Sequence, residues 1–70
     1  MQPDQRDVAY LWDMLDAART VEQLSSGLDF TQYSKDRRTQ LAVERSLEII
    51  GEAAGRVSDL FRNAHPEIPW

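Results

Sequence analysis

The stretch from Arg38 to Phe61, RTQLAVERSLEIIGEAAGRVSDLF, carries the most regular hydropathy pattern in the chain. Its apolar residues Val43, Leu47, Ile50, Ala54, Val57 and Phe61 recur at steps of four, three, four, three and four. An α-helix turns once in about 3.6 residues, so these side chains line one face. The spacing predicts one long helix ending at about Arg62. Gly51 and Gly55 lie inside it, each costing about 1 kcal/mol of helix propensity relative to alanine. With Ala54 and Ser58 they form a smooth patch. Close approach of a neighbouring helix or loop would offset the cost, and a ligand-facing patch is the alternative.

Upstream, a second helical pattern begins at Val8. One stripe is Val8, Leu11, Leu15 and Ala18, extended by Trp12; another is Tyr10, Met14, Ala17, Val21 and Leu24. Two adjacent stripes are wider than a helix with one buried face needs, so two neighbours are expected. Asp4 is the expected N-cap, and Asp7 favours the positive end of the helix dipole. Ser25-Ser26-Gly27 ends this helix, with Gly27 suited to the left-handed position beyond it. In the connector, Asp29 or Thr31 caps the next segment, and Phe30 and Tyr33 are expected to anchor the corner against the first helix. Tyr33 to Arg38 reads equally as a short helix, a kink or the start of the long helix. His65-Pro66 ends the long helix, because a residue before proline avoids helical angles. The expected class is all-α: two long antiparallel helices joined by a short connecting helix or turn, in one domain over residues 1–70.

Composition narrows the function. A core of 70 residues stabilises a fold by only about 3–5 kcal/mol unless something reinforces it. No cysteine and one histidine are present, so a disulfide and a structural zinc site are excluded. A partner surface is the remaining expectation. The net charge of −4 argues against a free-standing nucleic-acid binder. No run reaches the ~20 apolar residues of a membrane span. The opening Met-Gln-Pro-Asp-Gln lacks the basic-then-apolar signature of a signal peptide. A soluble cytoplasmic protein is expected.

The residues that bear on chemistry are few. His65 sits in a Pro-bounded loop with Glu67 as its nearest orienting carboxylate, and reads as a solvated loop histidine. Glu44, Glu48 and Glu52 stand at successive i, i+4 positions, with Arg45 and Arg56 placed to offset their repulsion. The alternative is a half-buried Glu52 paired with an arginine from elsewhere. Lys35, Arg37 and Arg38 form a basic corner, either solubilising or a phosphate contact for RNA or a nucleotide. Seven of the eight basic residues are arginine, the planar bidentate donor. No metal or cofactor set is visible.

The string from Ala42 to Ala54, centred on Leu47-Glu48-Ile49-Ile50-Gly51-Glu52-Ala53, resembles the HepT-like family of the HEPN superfamily. The opening Asp7-x-x-x-Leu11-x-Asp13-Met14-Leu15-x-Ala17-Ala18 is similar to that family's first helix. Ser58 and Phe61-Arg62-x-x-His65-Pro66-Glu67-Ile68-Pro69-Trp70 are similar to the loop before its last helices. The resemblance implies a four-helix bundle of HEPN type, here incomplete, that pairs as a homodimer. It implies a ribonuclease toxin that needs no metal and no cofactor. The implied partners are RNA and a nucleotidyltransferase-fold antitoxin, which in some systems transfers AMP to a toxin tyrosine. The family's catalytic arginine and histidine, four to six residues apart, come after the Ile-Pro-Trp segment. Only two residues separate Arg62 from His65, and the two match the preceding loop, so no catalytic residue is assigned within these 70 residues. The chain is expected to be truncated before the catalytic helices and inactive alone. A non-catalytic dimerisation or antitoxin-binding module is the alternative. Arg45 and Glu52 are the candidates for an active-site wall or partner contact, and Lys35, Arg37 and Arg38 for phosphate contacts.

Overall fold

The computed structural model describes residues 5–70. Four helices occur in order: α1 (Gln5–Ser25), α2 (Phe30–Lys35), α3 (Arg37–Arg56) and α4 (Asp59–Ala64). No strand occurs among the described residues. Asp7 near the start of α1 bonds to Ser58 just beyond the end of α3, so the two long helices run antiparallel. The expected N-cap, Asp4, lies outside the described residues.

The facing sides of α1 and α3 form the core. On α1 the contact line is Asp7, Tyr10, Met14, Ala17, Val21 and Leu24, the second of the two expected stripes with Asp7 added ahead of it. On α3 it is Val43, Ser46, Ile50 and Ala53, continued by Val57 just past the helix end, a line rotated from the expected one. Leu47, expected inside, is 55 % exposed, while Ser46 is buried. Hydropathy alone places leucine inward and serine outward. Here the serine hydroxyl donates to the Ala42 carbonyl of its own helix at 2.9 Å, so it enters the interface already satisfied. Small residues at Ala17, Ser46 and Ala53 give a flat contact, and Val57, 2 % exposed, closes it at one end.

The first stripe of α1 is largely uncovered: Val8 and Leu15 are exposed and Trp12 is 58 % exposed, while Leu11 is half-buried. The described chain measures 44 × 21 × 16 Å, with a radius of gyration of 14.5 Å, against about 11 Å for a compact domain of this length. No helix of the described residues is long and apolar enough to cross a membrane.

Local side chains set the boundaries between the helices. Gly27 takes φ 77°, the left-handed value the sequence predicts there. Asp29, rather than Thr31, caps α2: its Oδ1 accepts the Gln32 amide at 2.7 Å, and Gln32 Oε1 accepts the Asp29 amide at 2.9 Å. This box makes Phe30 the first residue of α2 and leaves it 83 % exposed, so Phe30 does not anchor the corner. Tyr33 is half-buried, and its carbonyl accepts Gln40 Nε2 at 2.8 Å, a contact to α3 rather than to the first helix. Asp36 ends α2 and starts α3, accepting the Thr39 amide at 3.0 Å and the Thr39 hydroxyl at 2.7 Å. The ambiguous stretch from Tyr33 to Arg38 is thus the end of one helix and the start of the next.

The long helix stops at Arg56, six residues short of its expected end at Arg62. Val57 and Ser58 are extended, with ψ of 137° and 151°. Ser58 then caps α4, its hydroxyl accepting the Phe61 amide at 3.2 Å. At Gly51 and Gly55 the space a Cβ would occupy has no atom within 4 Å. The expected close approach is therefore not made among the described residues.

Candidate functional site

The densest set of polar contacts lies at the corner between α3 and α4. In a continuous helix the Ser58 amide would donate to the Ala54 carbonyl, four residues back. Instead it donates to Asp7 Oδ1 at 2.8 Å, and the Ser58 hydroxyl donates to Asp7 Oδ2 at 2.6 Å. Asp7, 3 % exposed, is brought there by the first turn of α1. The Ser58 hydroxyl and then its amide hold the Asp7 carboxyl below the usual carboxylate range, against the opposing effect of burial. Sequence alone gives Asp7 a dipole role only. The available signal is an acidic residue in register with the inner stripe, three before Tyr10 and seven before Met14.

Arg62 closes the other side of the corner. Its Nε donates to the Val57 carbonyl at 2.9 Å and its Nη2 to the Gly55 carbonyl at 2.7 Å. Both acceptors belong to the end of α3, where carbonyls lose their helical donors. His65 lies on Phe61, ring centroids 4.5 Å apart, and its Nδ1 is 3.1 Å from Glu67 Oε1. Trp70 Nε1 donates to the His65 carbonyl at 3.1 Å, and the Trp70 ring meets Phe61 edge-on at 6.0 Å. The Glu67 carboxyl is held below its usual range by its own backbone amide and then by His65. The cluster holds His65 in a defined orientation, but the Arg62 guanidinium is spent on backbone carbonyls. The two do not form a cation and base aimed at a common point.

The residues singled out from sequence fall in two other places. Arg45 Nη1 approaches Glu48 Oε2 at 3.3 Å and Glu52 Oε1 at 3.8 Å, on an outer face where all three side chains are more than half exposed. Such pairs contribute about 0–1 kcal/mol. Glu52 is exposed and takes its arginine from its own helix, so the half-buried alternative does not hold. Lys35 ends α2 while Arg37 and Arg38 open α3, all three exposed around the Asp36 junction. Among the described residues no three His, Cys, Asp or Glu side chains converge as metal ligands would. A shallow groove of about 220 Å³ runs along α1, lined by Val8, Leu11, Trp12 and Leu15.

A helical hairpin with a capped corner and an exposed apolar stripe defines a class: an all-α helical module. Residues 14–70 match the family described as ribonuclease HepT-like, and the chain belongs to that family. It is 43 % identical over 61 residues to a Thermococcus cleftensis protein named "Probable ribonuclease HepT", covering 87 % of this chain and 56 % of that protein. It is 39 % identical over 62 residues to "Putative RNase MJ0127" of Methanocaldococcus jannaschii, covering 89 % and 51 %. A second protein of that organism, "Putative RNase MJ1380", is 38 % identical over 66 residues, covering 93 % and 61 %. The chain thus spans between half and three-fifths of the length of these relatives. No solved structure gives a significant match.

Proposed function

We propose that this chain forms the structural half of a HepT-like ribonuclease, the cytoplasmic toxin of a toxin–antitoxin pair. Its RNA cleavage needs no metal and uses an arginine and a histidine that the family carries after the Ile-Pro-Trp segment. The observation that carries the reading is family membership across residues 14–70, with relatives whose names are those of ribonucleases. The engagement of Arg62 and His65 within the α3–α4 corner supports the part that assigns this chain no cleavage of its own. In the assembled enzyme, Lys35, Arg37 and Arg38 contact RNA phosphates. Arg45 and Glu52 face the active site or the nucleotidyltransferase-fold antitoxin, and the enzyme is a homodimer. The test is an RNA-cleavage assay on the 70-residue chain and on a version extended by the downstream codons, with and without a chelator. Cleavage by the longer form alone, unaffected by chelation, is expected. Activity in the short chain, or loss of activity on chelation, overturns the reading.

A second reading, a binding module without chemistry, is favoured by the exposed stripe of Val8, Trp12 and Leu15. Contiguous apolar surface of this kind marks interaction sites. Sedimentation of the 70-residue chain tests it: a stable monomer with full helicity overturns the need for a partner.

A further inference from the structure

The local sequence around the α3–α4 corner does not demand a bend. Val57 and Phe61 continue the helical period of residues 43–54, no proline lies between Arg37 and His65, and Asp59-Leu60-Phe61-Arg62 is compatible with helix. Yet Val57 and Ser58 are extended, and three of the contacts that hold them so replace helical ones. The Ser58 amide goes to Asp7 and the Phe61 amide to the Ser58 hydroxyl. The Val57 carbonyl, which the Phe61 amide would take in a continuous helix, goes to Arg62. Two of these three contacts join residues no more than five apart. The third comes from Asp7, 51 residues away. Apart from those of Asp7, the side-chain hydrogen bonds described span seven residues or fewer.

We propose that Asp7 is a positioning residue that selects a bend the local sequence leaves open. Its carboxylate draws the Ser58 amide and hydroxyl out of the helical path. That ends α3 at Arg56 and sets the direction in which Phe61, His65 and Trp70 leave the helix pair. Without Asp7, the Ser58 amide returns to the Ala54 carbonyl and the Phe61 amide to the Val57 carbonyl. Helices α3 and α4 then become one helix from Arg37 to Ala64, and Arg62 is released from the Gly55 and Val57 carbonyls. The consequence for catalysis rests on the ribonuclease reading above, since the segment being aimed is the one that leads to the family's catalytic helices. The bend itself does not depend on that reading, and is tested without any nuclease assay.

The experiment is backbone NMR assignment of the parent chain and of Asp7→Ala, Asp7→Val and Asp7→Asn. In Asp7→Ala, the Cα secondary shifts of Val57 and Ser58 are expected to move from extended to helical values. The ring-current shifts that Phe61 imposes on His65 should persist, since both lie within α4 and its cap. Asp7→Asn keeps an oxygen acceptor for the Ser58 amide and is expected to retain the bend. Asp7→Val places an apolar side chain at a buried position of the α1–α3 contact line, so it gives a folded protein if the alanine variant does not. It should show the same fused helix. Extended Val57 and Ser58 shifts in a folded Asp7→Ala or Asp7→Val protein overturn the proposal, as does loss of the bend in Asp7→Asn.

Discussion

Arg62 reaches back across the α3–α4 corner to Gly55, its Nη2 donating to the carbonyl oxygen at 2.7 Å. A residue of one helix thereby caps the end of the helix before it. The guanidinium also meets the carboxyl-terminal end of a helix dipole, where a cation is favoured. Arg62→Ala is expected to lower stability by about 1–2 kcal/mol, toward the low end of the roughly 1.5–3 kcal/mol of hydrogen bonds to a charged group because the site is partly exposed. Lysine offers no planar fork, so Arg62→Lys should recover only part of the loss. Chemical denaturation of the three proteins measures this.

Acid should unfold the chain through carboxylates held below their ordinary range. Asp7 is held there by Ser58 and Asp36 by the Thr39 amide and then its hydroxyl. A group whose folded pKa lies below its unfolded one contributes stability above the unfolded value, and loses it as pH falls through the folded value. Thermal midpoints are therefore expected to stay level from neutral pH to about pH 4, near the ordinary aspartate pKa, and to fall below it. Asp7→Asn should flatten that acid limb. An acid limb that is unchanged in Asp7→Asn contradicts the assignment.

The rotated face of α3 sets the cost of substitution along it. Val57→Ala, at the buried end of the contact line, should cost about 2 kcal/mol from lost burial and the cavity left behind. Leu47→Ser should stay within about 0.5 kcal/mol, as surface changes do. Ile50→Asp, on the same line as Val57, should cost several kcal/mol by placing an unpaired charge against α1. Melts monitored by circular dichroism rank the three.

Gly51 is exposed within α3, and a methyl group there would meet nothing. Gly51→Ala is expected to stabilise the isolated chain by about 0.5–1 kcal/mol through helix propensity alone. The sequence pattern predicts a neighbour filling that space. If the same substitution weakens assembly of the extended form proposed above, the neighbour is another subunit or a further helix.

Much of the architecture is legible in the sequence because the rules that govern it are local. The Gly27 turn and the Asp29 cap each depend on residues within a few positions, and the period of α1 supplies its contact line. The face of α3 differs from its hydropathy stripe by a fraction of a turn, because Ser46 satisfies its own hydroxyl and so sits where leucine is expected. The bend at Ser58 escapes the sequence for a different reason. Its decisive partner is Asp7, at the far end of the chain, and periodicity carries no information about contacts of that kind. The basic corner of Lys35, Arg37 and Arg38 is visible in the sequence, and the structure adds the Asp36 junction around which it is arranged.

The capped helix starts also bear on how the chain acquires its shape. Helices α2, α3 and α4 each begin at a side chain that bonds an amide three residues ahead. The boundaries at Asp29 and Asp36 are specified before α1 and α3 meet, whereas the start of α4 at Ser58 waits for Asp7. The remaining step is closure of residues 26–36, and loops of this size close in about 10–100 ns. Mostly local contacts favour folding in the microsecond-to-millisecond range. The 51-residue reach from Asp7 to Ser58 is then the last fastening to form. In a stopped-flow experiment it should register in the unfolding rate rather than the refolding rate.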